Sequence, residues 1–177
     1  DPGLPILLDR AYSEATRLGR RDEIIAVLRE LVPDLSSVEI LSEDDGSPAL
    51  YVVRGQRGAI PIGVAGDGVQ ALVQLATEFA ALPGGRVLVE EPEVYQHPAA
   101  LRLTARVLLA TMRRGVQVIL TTHSLELIDM LVEESRPEDI PALSLFTLAL
   151  EDGVLRSGRI AGHQIQAARA DVAEDLR

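Results

Sequence analysis

Residues 86–98 read RVLVEEPEVYQHP and residues 116–124 read VQVILTTHS, and these two segments decide the fold. Val87-Leu88-Val89 is a short apolar strand with two adjacent carboxylates, Glu90 and Glu91, at its carboxyl end. About thirty residues on, Val116 to Leu120 forms a second apolar strand that ends in Thr121, Thr122 and His123. The segment between them has the length of one helical crossover, so the two strands are expected to lie parallel. In an open α/β sheet, ligands bind in the crevice outside the carboxyl ends of the strands. The spacing therefore predicts that an acid pair and an imidazole meet where such a sheet does its chemistry.

Outward from this centre, hydrophobic spacing assigns the remaining elements. Residues 5–32 carry Ile6, Leu7, Ala11 and Ala15, then Ile24, Ile25, Leu28 and Leu31, at helical intervals, with Gly19 dividing the helix and Pro33 ending it. Val38 to Leu41 and Ala49 to Val53 read as a hairpin around Glu43-Asp44-Asp45-Gly46. Residues 54–68 read as a glycine-rich loop, and Val69 to Leu82 as a helix closed by Pro83-Gly84-Gly85. Pro98 opens a helix that runs to about Arg114 and stops at Gly115, and Ser124 is placed to cap the next one. Residues 143–150 and 154–157 flank Glu151-Asp152-Gly153 as a second hairpin, and a polar helix is expected from Gln164 to Arg177. The sum is one α/β domain over residues 1–177: three layers, a mostly parallel sheet, flanking helices and two β-hairpins.

Composition narrows the function. With 177 residues, 47% of them apolar, the chain can bury one core, and only 3% aromatic content leaves that core to aliphatic side chains. No apolar run approaches the ~20 residues of a membrane span, no export leader opens the sequence, and there is no cysteine. A cytoplasmic protein without a membrane partner is expected, and a first residue of Asp1 reads as a processed product or a fragment. A net charge of −10 argues against a nucleic-acid grip on this segment. All 17 basic residues are Arg. A GxxxxGK[ST] phosphate loop needs its Lys to reach the phosphates, and this chain has none.

Three groups of residues carry possible chemistry. Burying Glu90 and Glu91 together is costly unless a cation or donors meet them, and a magnesium–nucleotide complex does so. The plainer alternative is a solvated acidic turn. His123, at the tip of the neighbouring strand, can hydrogen-bond a γ-phosphate or a lytic water, or serve as a structural residue. His97 stands before a helix and can order its loop; His163 lies in a polar segment without evident chemistry. Gly66, Asp67 and Gly68 open a helix whose amino end attracts anions, although by itself the segment reads better as a plain turn, with Asp67 suited to capping the helix.

Taken in order, the GDG-plus-helix segment, VLVEEPEVYQHP and VILTTHS resemble the signature motif, Walker B with D-loop, and switch histidine of ABC-type ATPases. The EEPE…HP form is similar to the modules of the OLD (overcoming-lysogenization-defect) family and related AAA-type ATPases. These in turn resemble the structural-maintenance-of-chromosomes (SMC) ATPases. The likeness is specific over residues 63–130, and the end from Ala170-Asp171 to Arg177 also resembles how such modules finish.

The resemblance implies an incomplete P-loop NTPase fold working on ATP with Mg2+. Glu90 then matches the Walker B acid that supports the metal and Glu91 the general base. Glu93 to Pro98 match the D-loop, and His123 matches the histidine that senses the γ-phosphate. Gly66, Asp67 and Gly68 match the loop that contacts ATP, with His97 counted among the nucleotide-binding residues. It further implies a P-loop half on another chain or segment, a homodimer in the complete protein, and DNA or nuclease partners through other domains. Departures are the absent Walker A loop, no identifiable glutamine-loop, Ala65 where a signature Ser would stand, and Glu90 in place of the usual Asp. Two competing readings are a Toprim-type metal-dependent nuclease, whose Asp-x-Asp is replaced here by Thr-Thr-His, and a non-catalytic dimerisation module.

Overall fold

In the computed structural model, which describes residues 7–94 and 96–168, the first helical run divides where expected. Helix α1 (Leu8–Arg17) and helix α2 (Arg21–Leu31) are separated at Gly19, whose φ of 72° is a left-handed conformation that disfavours any residue with a Cβ. Their buried faces, Ala11, Tyr12 and Ala15 on one and Ile24, Ile25 and Leu28 on the other, follow the predicted periodicity. Strands β1 (Leu35–Ser42) and β2 (Pro48–Arg54) form the predicted hairpin. The buried Tyr12 hydroxyl donates to the Val38 carbonyl at 2.7 Å and accepts from Arg21 Nε at 3.0 Å, which ties both helices to β1.

The stretch expected to be loop holds a third strand, β3 (Gly58–Pro61), antiparallel to β2. Its glycines punctuate the chain, but Ile60 faces Val52 in register, and that apolar pairing outweighs the turn-like composition. Helix α3 (Asp67–Ala81) follows and packs against α1, α2 and, beyond it, the helix at residues 98–113. Leu72, Val73 and Thr77 of α3 are fully buried at the centre of the core.

Strands β4 (Arg86–Glu90) and β5 (Gln117–Thr121) pair in parallel, joined by helix α4 (Pro98–Arg113). Val87, Val89, Val118 and Leu120 pack on the core, whereas Leu88 and Ile119 on the other face are 78% and 46% exposed. Helix α5 (Leu125–Glu133) is capped as predicted, with Ser124 Oγ accepting from the Leu127 amide at 3.1 Å. Strands β6 (Ser144–Glu151) and β7 (Val154–Ala161) form the second hairpin around Asp152 and Gly153, both at positive φ. Helix α6 (Gly162–Ala167) comes last; the rest of the expected terminal helix, with the Ala170–Arg177 end, lies outside the described residues.

The class is α/β with flanking helices and two hairpins, and the strands fall into three sheets: β1-β2-β3, β4-β5 and β6-β7. The parallel part, expected to dominate, is two strands wide among the described residues. Among those residues no helix is long and apolar enough to cross a membrane.

Charged contacts hold the crossover in place. Arg102 and Arg106 of α4 both pair with Glu134, at the end of α5. Asp139, 4% exposed, accepts from the Arg113 guanidinium and from the Arg136 amide. The Arg113 hydrogen bond holds the Asp139 carboxyl below the ordinary carboxylate range, against the opposing effect of burial. A depressed folded-state pKa means this contribution is full above the ordinary carboxylate pKa and is lost as pH falls through the folded value. Asp139→Asn is therefore expected to lower unfolding free energy by about 2 kcal/mol at neutral pH and to lose that deficit on acidification, read by urea titration. Ser124→Ala is expected to cost about 1 kcal/mol by the same measurement, since the cap on α5 is lost.

Candidate functional site

The parallel register sets the geometry of the tip. Glu90 stands opposite Thr121, and the Glu91 amide donates to the Thr121 carbonyl at 3.0 Å, extending the ladder one residue past β4. Pro92 then prevents further pairing, since it has no amide to donate. Glu91 has a φ of 42°, a left-handed conformation that costs a non-glycine residue on the order of 1–3 kcal/mol. Its Oε1 lies 3.4 Å from His123 Nε2, with the two side chains 39% and 85% exposed. Acid and imidazole thus meet at the ends of neighbouring strands, open to solvent, and Glu90 is exposed on the residue before.

The turn after β4 is tied down at both ends. Glu93 Oε1 accepts from Thr122 Oγ1 at 2.6 Å and from the His123 amide at 3.1 Å. Its other oxygen, Oε2, is buried without a hydrogen-bond partner among the described residues. The Gln96 amide donates to the Glu93 carbonyl at 3.0 Å. The Gln96 side chain donates to the Pro92 carbonyl at 2.7 Å and accepts from the buried Thr104 hydroxyl of α4 at 2.6 Å.

The remaining candidates sit on other elements. His97 is the N-cap of α4, its Nδ1 accepting from the Ala99 amide at 3.3 Å, so one ring nitrogen orders the helix start. Gly66 is the N-cap of α3 with a φ of 96°; Asp67 is the first helical residue rather than the cap, and Gly68 follows it. Asp67 contributes its charge to the helix amino end but no capping hydrogen bond. The structure therefore joins Glu91 to His123 directly, adds Glu90 on the same tip, and leaves Gly66, Asp67 and Gly68 at the start of α3.

Sequence reasoning overlooked how Glu93, Gln96 and Thr122 knit the tip together. The available signal was a polar residue on each side of the pair: Glu93 two positions after Glu91, and Thr122 immediately before His123. As a donor set, Glu90 and Glu91 offer hard carboxylate oxygens at an exposed strand end. That suits Mg2+, which takes one or two carboxylates and leaves its other positions to phosphates and water.

Comparison with known proteins bears on the family and the fold. The uncharacterized protein MJECL11 of Methanocaldococcus jannaschii is 38% identical over 76 residues, a match covering 42% of this chain and 67% of that protein. Among solved structures, an SMC ATPase from work on ATP-driven dimerization and DNA-stimulated activation superposes with a TM-score of 0.57 at 14% identity, covering 93% of this chain and 99% of the other. An SMC head bound to the C-terminal winged-helix domain of ScpA gives 0.60 at 16% identity, covering 89% of this chain and 49% of the other. The Pyrococcus furiosus SMC head with an extended coiled coil gives 0.59 at 14% identity, covering 87% and 37%. This chain thus spans half or less of the latter two. At such identities the likeness shows the fold alone, which is similar to that of SMC ATPase heads, as the motif order implied. A family model described as "AAA domain, putative AbiEii toxin, Type IV TA system" matches residues 4–129, and the chain belongs to that family of AAA/ABC-type ATPase modules.

Proposed function

We propose that this chain is the Walker B and signature part of an ATP-hydrolysing, OLD-like ABC module, completed by a P-loop outside these 177 residues. The observation that carries the reading is the 3.4 Å approach of Glu91 to His123 at the ends of two parallel strands. Glu91 accepts a proton from the water that attacks the γ-phosphorus in line. His123 donates to the γ-phosphate oxygens as negative charge builds on them. Glu90 would hold Mg2+, which when bound would neutralise charge on the phosphate oxygens.

The amides at the start of α3, after Gly66, contact nucleotide held by an opposing subunit. This last role draws on the ATP-driven dimerization of the SMC protein that shares the fold. The exposed Leu88 and Ile119 support a missing layer of chain, because parallel strands are ordinarily covered on both faces. DNA is the partner class suggested by the same SMC neighbour, reached through other parts of the full protein. We place the protein in the cytoplasm, in keeping with a cysteine-free sequence.

Glu91→Gln in the full-length protein is expected to slow ATP hydrolysis by about 10²-fold or more while ATP-dependent dimerisation persists. Unchanged turnover would remove Glu91 from the reaction. In equilibrium dialysis, this chain alone is expected to retain no labelled ATP, and retention appears only with the P-loop segment present. Binding of both forms without hydrolysis under any condition would instead favour a non-catalytic dimerisation module.

A further inference from the structure

We infer that Glu93 is a positioning residue that sets His123 against Glu91. Its consequence for turnover rests on the ATPase reading above; its structural part rests on hydrogen bonds alone. The His123 side chain is 85% exposed, so packing does not fix it, and its backbone must. That backbone is held by Glu93 Oε1, which takes the His123 amide at 3.1 Å and the neighbouring Thr122 hydroxyl at 2.6 Å. Hydrogen bonds to an ionised carboxylate are the stronger kind. Thr122 Oγ1 in turn accepts from the Ser124 amide at 3.0 Å, so the start of α5 belongs to the same unit.

Glu93 is itself anchored. Gln96 grips the chain on either side of it and is fastened to the buried Thr104 of α4. A continuous set of fixed contacts thus runs from the core of α4, through Gln96 and Glu93, to the backbone that carries the imidazole. The buried Oε2 is the second observation. An acceptor left unpartnered out of water is unfavourable, so the two bonds that Oε1 receives offset a cost borne at the same side chain. A shorter Asp would not span the same distance to the strand beside it, and an apolar residue would leave the His123 amide without its acceptor.

The test compares Glu93→Ala, Glu93→Gln, Thr122→Val and Thr122→Ser in the full-length protein. Glu93→Ala is expected to lower kcat for ATP by about ten-fold or more with KM within about two-fold, because binding is retained and the reacting geometry is loosened. Glu93→Gln keeps a carbonyl acceptor and is expected to restore kcat to within about three-fold of the parent. Thr122→Val is expected to follow Glu93→Ala, and Thr122→Ser to follow the parent. Amide hydrogen exchange at His123 reads the structural part separately, and should quicken by about ten-fold in Glu93→Ala and not in Glu93→Gln. A parental kcat in Glu93→Ala, equal changes in kcat and KM, or unaltered exchange at His123 each overturns the inference. If Glu93→Ala does not fold, the Thr122 pair decides. If the parent protein hydrolyses no ATP, the ATPase reading fails, while exchange at His123 still decides what Glu93 holds.

Discussion

The site depends on the register between two short parallel strands. Arg86 to Glu90 pair one-for-one with Gln117 to Thr121, so the two chains leave the sheet at the same level. Because side chains alternate across a strand, a slip of one residue would send every side chain of β4 to the opposite face. Val87 and Val89 would leave the core, Leu88 would enter it, and the acid pair would no longer end beside the imidazole. Burial of the two valines against the core is thus the force that aligns the tip, although neither valine is near any chemistry. The crossover enforces the same register from outside, since α4 is anchored in the core by Leu101, Leu103 and Leu108 and clamped to the end of α5 by Arg102 and Arg106.

Unfavourable features concentrate where the site lies. Glu91 adopts a left-handed backbone that glycine would occupy more cheaply, and Glu93 keeps out of water an oxygen with no partner among the described residues. Each alone is a modest cost, on the order of 1–3 kcal/mol. Both fall within three residues on one turn, and the favourable contacts that offset them are local: the bonds of Glu93, Gln96 and Thr104. A turn selected for stability alone would carry glycine at the strained position and a neutral side chain at the buried one. On the reading proposed above, Glu91 faces His123 as a reacting group and Glu93 supplies the acceptor for the His123 backbone.

Much of this arrangement was legible before any coordinates. The helix break at Gly19, the Ser124 cap, both hairpins and the parallel pair follow from local chemistry: a left-handed glycine, a hydroxyl before an apolar run, turn residues between alternating strands. What escaped is of another kind. Strand β3 was hidden because its glycines signal a loop, while the pairing of Ile60 with Val52 that makes it a strand is tertiary. Asp67 has the composition of a cap, yet the positive φ needed at that point went to Gly66. The grip of Glu93 on Thr122 and His123 joins residues about thirty positions apart, so the polar residues beside the pair mark the place but not the contact. Only the register that brings the strand ends together makes it visible.

Electrostatics explains why such a tip needs a complement. Glu90, Glu91 and Glu93 crowd three carboxylates into four residues of a chain whose net charge is −10. Among the described residues, the one cationic partner set against them is the His123 imidazole, and only when it is protonated. Two like charges about 4 Å apart repel by roughly 1 kcal/mol in water and roughly 4 kcal/mol at the lower effective dielectric near a protein surface. A triphosphate brought to this surface without help would meet that repulsion several times over. Magnesium cancels part of it, and a lysine at the phosphates would cancel more, yet this sequence contains no lysine at all. On the reading proposed above, the missing positive charge and the uncovered face at Leu88 and Ile119 have one origin: the segment that supplies the phosphate-binding loop also covers the open side of the parallel strands.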